Sequence, residues 1–289
     1  MPAYEIVNMF ADHVYAGSAL GVVPKAGDLD TEGMQALARE INHTETAFVL
    51  PPTGTGAHYR VRVFTPEAES PYGGHSSIGT AVTLARLGLV PAGRVVQECG
   101  PKRLPLDVSA EAGKITANDP LESEPLDPGT LLGAVGLPAP AADGARPAAC
   151  GFGPAFHFLP VRADAVAAAE PDFARMAAAG LADVLVFSWD ATTNTAHGRL
   201  FAPGYGMPED PACSSAALGL GVWLVEAGRL TGDGVHDFTL RQGREQGRPS
   251  TLYCSVRVAD GRPVSASVSG AVLPAGSGEL ADPDREKGS

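Results

Sequence analysis

Five side chains of this sequence have the types and settings from which proton-transfer chemistry is built. Glu45 stands in Asn42-His-Thr-Glu-Thr-Ala-Phe48, between a segment of helical spacing and an apolar, strand-like run over 46–50. A carboxylate at such a junction that points into a cleft loses hydration, and its pKa rises toward proton-transfer duty. A solvent-facing or capping acid is the plainer reading. Asp210 ends Gly204-Tyr-Gly-Met-Pro-Glu-Asp210, just before an apolar helix that begins near Ser215. A helix start offers free N–H groups and the positive end of the dipole to anionic ligand groups, although N-capping alone also accounts for Asp210 and Ser215. His75 follows Gly73 and Gly74, glycines that allow backbone to come close to a ligand. An imidazole there can orient a substrate or relay a proton near neutral pH. Cys213, at the same helix start as Ser215, is either a thiol of lowered pKa acting as a base or a small packed residue.

These residues are distributed over a repeat. Arg62-Val-Phe-Thr-Pro66 returns as Arg199-Leu-Phe-Ala-Pro203, and after each comes a polar, proline-containing loop and a helix rich in small residues. Setting His75 on Ser215 places Gly79 on Gly219, Leu84 on Leu224 and Gly88 on Gly228, the last pair where a helix C-cap glycine belongs. Upstream, helix-like spacing over 34–42 and 172–179 leads into strand-like runs over 46–50 and 184–188, so the offset holds across four elements. The pattern predicts two similar α/β halves, 1–120 and 121–269, joined near 118–127 where prolines and acids interrupt any period. A ligand site between such halves is the default expectation. The tail over 281–289 reads as solvated and disordered.

Bulk properties narrow the classes. A chain of 289 residues suits about two domains of ~150 each. The net charge of −12 disfavours nucleic acid and anionic membrane as partners. The longest apolar run, 216–225, fits a buried helix better than a membrane span, and the N-terminus has no signal-peptide pattern, so a cytoplasmic protein is expected. The four cysteines lie far apart without C-x-x-C pairing, which argues against zinc and against a disulfide framework.

The opening motif Tyr4-Glu-Ile-Val-Asn-Met-Phe10 with Gly17 resembles that of the PhzF-like phenazine-biosynthesis proteins. So do 42–49, Phe64-Thr-Pro66, Gly74-His-Ser76, Pro208-Glu-Asp-Pro211, and Gln242-Gly243 with Gly247-Arg-Pro-Ser250, in order along nearly the whole chain. The resemblance implies an α/β (α+β) diaminopimelate-epimerase-like fold, two pseudo-symmetric domains each with a curled β-sheet around a central helix. It implies a strand near 270–280 returning to the first domain. It also implies an isomerase that needs no metal or organic cofactor, acts on a small molecule and forms a homodimer. Glu45 takes the place of the family's catalytic glutamate, and His75, Asp210 and Ser215 the places of residues that hold and polarise substrate. Ser18, Gly73, Gly74, Ser76 and Ser214 complete the expected substrate contacts. Ser18 and Asn8 depart from the family pattern, as does Cys213, which falls where related cysteine-dependent epimerases keep one catalytic thiol. Gly73 occupies the place of the other thiol. Two further readings stay open: an epimerase or dehydratase that pairs Cys213 with Glu45, and a metabolite-binding protein without chemistry.

Overall fold

The computed structural model describes residues 1–70 and 74–281; the tail expected over 281–289 lies, from 282 on, outside the described residues, as do the Gly73 position and the His75 side chain. The chain divides into two units, one formed by Met1–Ile115 with the chain from Gly270 onward, the other by Thr116–Ser269.

The first unit contains β1 (Ala3–Met9), β2 (Ser18–Val23), α1 (Thr31–Ile41), β3 (Glu45–Leu50), β4 (Tyr59–Phe64), β5 (Glu69–Ser70), α2 (Gly74–Arg86), β6 (Gly93–Cys99), β7 (Lys102–Val108) and the start of β8 (Ala112–Asn118). Its strands pair in the order β1-β2-β3-β4-β6-β7-β8, with β2–β3 and β4–β6 parallel and the remaining neighbours antiparallel. The sheet curls around α2, which packs on β1, β2, β3, β6 and β7. Strand β3 is buried along its whole length because helices cover both its faces. Phe48 and Leu50 pack with Met34, Leu37 and Ala38 of α1 on one side. Alternation turns the intervening residues toward α2 on the other. Asp30 caps α1 by accepting from the Gly33 N–H at 2.7 Å, so that helix begins three residues before the expected start at 34.

The second unit repeats this plan with β9 (Glu124–Pro125), α3 (Pro128–Ala134), β10 (Ala148–Gly151), β11 (Ala155–Pro160), α4 (Ala163–Val166), α5 (Phe173–Ala178), β12 (Val184–Asp190), β13 (Thr195–Ala202), β14 (Met207–Asp210), α6 (Ser214–Glu226), β15 (Gly234–Gln242), β16 (Ser250–Ala259) and the first half of β17 (Arg262–Glu279). Here β11–β12 and β13–β15 are the parallel pairs, matching β2–β3 and β4–β6. Helix α6 is buried on nearly every side against β10, β11 and β16, as an all-round apolar helix must be. The second half of β17 pairs with β1 from Ala3↔Glu279 to Met9↔Val272, and the Val272 N–H donates to the Glu111 carbonyl at 2.8 Å. Among the described residues, no helix is long and apolar enough to cross a membrane.

The two units share details as well as topology. Helices α2 and α6 have 13 residues each and end alike, with Gly88 at φ +70° and Gly228 at φ +67°. In each, the N–H three positions past the helix end reaches back five residues: Leu89 to the Leu84 carbonyl at 2.9 Å, Arg229 to Leu224 at 2.8 Å. A Cβ on Gly79 would come within 2.5 Å of Met9 Sδ, and one on Gly219 within 3.0 Å of the Phe158 ring, so both glycines let helix and sheet approach. The repeated arginine has one job in both units. Arg62 grips Glu69 through two bonds of 2.8 and 2.7 Å and lies 5.1 Å over the Phe64 ring; Arg199 grips Glu209 at 3.0 and 2.9 Å and lies 4.8 Å over Phe201. Each clamp thereby fastens the short strand that leads into α2 or α6.

Candidate active site

In the first unit, strand direction gathers the candidates at one end of the sheet. β2 and β3 are parallel, so their first residues, Ser18 and Glu45, lie at the same end, and antiparallel β4 brings its last residues there too. From that end the chain passes to the first turn of α2, which carries Gly74, His75 and Ser76. Alternation fixes where Glu45 points. The Cβ direction of Gly21, on the α1 side, meets Ile41 and Thr46, whereas Leu20 lies beside Gly79 of α2. Leu20 is paired with Glu45, so the glutamate shares its α2-facing side. Glu45 is only 8% exposed. The Cys99 thiol is raised by burial and then by the charges of Glu45 and Glu69, which places the Glu45 carboxylate in electrostatic reach of the end of β6.

Ser18 is fully buried and follows Gly17, whose φ of +69° and 2.1 Å approach of a would-be Cβ to the Met9 carbonyl admit only glycine. The hydroxyls of Ser18 and Ser76 are buried without a hydrogen-bond partner among the described residues. Asn8 is also buried, and its Oδ1 accepts from the Tyr15 N–H at 2.7 Å; an acceptor is all that this turn asks of the position.

In the second unit, Asp210 is 2% exposed and accepts from the Ala212 N–H at 2.9 Å. The N-cap of α6 is Cys213, and Ser215 lies inside the helix, so neither Asp210 nor Ser215 is the capping residue. Ser214 is buried and Ser215 half-buried. Gln242 stitches the segment together: its Nε2 donates to the Asp210 carbonyl and its Oε1 accepts from the Cys213 N–H, both at 3.3 Å. Gly243, at φ +72°, has no room for a Cβ between the carbonyls of Arg248 and Pro211. The Cys213 thiol is displaced in the direction opposite to the lowered pKa that a helix start suggests. Burial first, then the charge of Asp210, and further that of Asp183, push it well up, and the N–H groups of Ala216 and Ser215 only partly oppose them.

Two residues of this region were not singled out as candidates. Gln242 was visible only as part of a motif. Asp183 emerges from sheet register: Phe64 pairs with Thr46 and Phe201 with Val184, so Asp183 holds in the second unit the place of Glu45 in the first. It is fully buried, and its Oδ1 accepts from the His157 N–H at 2.9 Å and lies 3.3 Å from the His157 ring. No composition or motif signal marks it, because the acid precedes its strand by one residue.

Curled sheets around a central helix, repeated by internal symmetry, define the diaminopimelate-epimerase fold class. A hydroxyproline epimerase of Agrobacterium vitis has the same fold at a TM-score of 0.64 and 14% identity, over 99% of this chain and 94% of its own. A PhzF-family phenazine biosynthesis protein of Bacillus anthracis is nearer, with a TM-score of 0.87 at 21% identity over 97% and 99% of the two chains. The family model for phenazine biosynthesis-like proteins, PhzC-PhzF, matches residues 7–275, and the chain belongs to that family. Among curated relatives it is 33% identical to an uncharacterized isomerase of Mesorhizobium japonicum, over 96% of this chain and 98% of the relative. It is 30% identical to the trans-2,3-dihydro-3-hydroxyanthranilate isomerase of Pseudomonas aeruginosa, over 93% and 96%. The protein is an isomerase of this family.

Proposed function

We propose that the protein moves a proton between carbons of a small carboxylated metabolite, with Glu45 as the proton carrier and no cofactor. The observation that supports this most directly is the setting of Glu45: a nearly buried carboxylate at the head of β3, on the α2-facing side, at the sheet end that leads to His75 and Ser76. A carboxylate there takes a proton from one carbon of an unsaturated substrate and returns it to another, so the double bond migrates and no external reductant is consumed. The buried hydroxyls of Ser18 and Ser76 are suited to polar groups of the ligand, and Asp210, held by its turn and by Gln242, to a hydroxyl or ammonium group. His75, Ser214 and Ser215, with the backbone of Gly73 and Gly74, complete the proposed contacts. Cys213, as a raised and buried thiol, is given no proton to carry.

The test is deuterium uptake at carbon. The protein is incubated in deuterated water with trans-2,3-dihydro-3-hydroxyanthranilate, the compound in the name of the Pseudomonas relatives, and with related cyclic dienes and hydroxy-amino acids. Glu45→Gln should fold normally and exchange about 10²–10⁴ times more slowly, the usual scale for a general acid–base group. Near-normal exchange by that variant removes the proposal.

A further inference from the structure

The internal symmetry allows each position of the first unit to be read against its twin, and one buried cluster breaks the match. Tyr59 Oη donates to Gln97 Oε1 at 2.9 Å, and Gln97 Nε2 donates to Ser77 Oγ at 2.7 Å. All three residues are buried, at 3%, 0% and 1% exposure. Tyr59 and Gln97 face each other across β4 and β6, and Ser77 lies in the first turn of α2, so the chain of bonds runs from sheet to helix start. The equivalent trio is Ala196, Leu240 and Ala217: Ala196 pairs with Leu240 across β13 and β15, and Ala217 stands 140 residues after Ser77 in two helices of equal length. Each of the three is 0% exposed.

Stability does not account for the polar trio. A buried, satisfied hydrogen-bond chain is at best modestly better than apolar groups of the same shape, and often no better. The second unit demonstrates that this fold closes the same three places with apolar side chains. What hydrogen bonds add is direction: dispersion contacts let a helix slide or rotate slightly, whereas a chain of donors and acceptors fixes one position and one rotation. The second unit holds its helix start by another glutamine, Gln242, which grips the backbone of Cys213. Each helix start is thus tethered by a glutamine on the equivalent strand of its own unit, β6 or β15.

We infer that Tyr59, Gln97 and Ser77 form a positioning network that locks the first turn of α2, and with it His75 and Ser76, in the pose needed to act on a ligand; this rests on the function proposed above. None of the three is a catalytic residue. The network works through the helix turn that it holds.

The experiment compares Gln97→Leu with the triple variant Tyr59→Phe, Gln97→Leu, Ser77→Ala in the full chain. The single change takes the acceptor from the buried Tyr59 hydroxyl and one donor from Ser77 Oγ, and should lower Tm; the triple change removes all three groups of the chain together and should recover wild-type Tm within a few degrees. In the triple variant, exchange of the Ile78, Gly79 and Thr80 amides, which bond the carbonyls of the first turn, should be at least tenfold faster, with α6 unchanged. Deuterium uptake by the substrate probe should lose at least tenfold in kcat with KM held within twofold. A triple variant with wild-type amide exchange of the α2 first turn overturns the inference. If the triple does not fold, Ser77→Ala alone carries the same readings. Faster amide exchange together with an active Glu45→Gln would leave the network standing and remove the proposed function.

Discussion

The two arginine clamps offer a controlled comparison, because one chain contains the same device in two degrees of burial. Arg199→Met removes the charge and every donor but keeps the aliphatic stem over Phe201. Glu209, 14% exposed at its side chain, is then left without its cation, and Nη1 no longer reaches the Ala169 carbonyl at 2.7 Å. Removing one partner of a buried pair costs about 3–5 kcal/mol, and the residual exposure points to the lower end, about 3 kcal/mol. Arg62→Met removes a pair of similar geometry whose side chains are 25% and 43% exposed, so water takes over much of the interaction and the cost is about 1 kcal/mol or less. The assay is urea unfolding followed by far-ultraviolet circular dichroism and by tryptophan fluorescence. With a slope of about 2–3 kcal/mol/M, the two midpoints should differ by about 0.7–1 M. Midpoints within 0.3 M of one another would refute the view that burial, rather than bond geometry, sets the worth of these pairs.

The acid limb of stability should carry the signature of the exposed clamp. Its bond to Arg62 lowers the Glu69 pKa, so the stabilisation is complete above the unfolded glutamate value of about 4.3 and is lost as pH falls through the lower folded value. The deficit of Arg62→Met against the wild type, measured by urea titration from pH 7 to 3, should therefore shrink toward zero only at the acid end; a constant deficit contradicts the assignment. For the cysteines, iodoacetamide at pH 7.5 should modify Cys99, which is partly exposed, before Cys150, Cys213 and Cys254, which are buried with raised thiols. Peptide mass mapping that finds Cys213 labelled first would favour its reading as a reactive base.

The repeat was legible in sequence because it rests on residues that the backbone itself demands. Gly88 and Gly228 end equivalent helices in the left-handed region, and the arginines of the two R-x-F-x-P segments each clamp a glutamate, so both left matching letters in both halves. Glu45 and Asp210 drew notice as acids placed beside apolar elements; the structure buries both, where spacing alone left a solvent-facing or capping acid the plainer reading. What was not legible depends on partners distant in sequence. Asp183 becomes the twin of Glu45 only once the β12–β13 register is known. The Cys213 thiol is displaced upward because α6 starts inside the protein beside two acids, a setting that the helix-start rule, written for exposed ends, does not anticipate. The Tyr59–Gln97–Ser77 chain links residues up to 38 apart through contacts that no spacing announces.

Strand β17 has a consequence for the order in which the protein can be made. Its second half supplies the partner of β1, and Leu280 packs into the core under α1, so the N-terminal unit is finished by residues synthesised after the whole of the other unit. On the ribosome, β1 therefore waits with one edge open while about 150 further residues emerge, whereas the intervening unit already has all its strands once Ser269 has left the exit tunnel. The second unit in the sequence is thus the first to have all its strands, and a chain stopped just short of Gly270 would still lack the partner of its oldest strand.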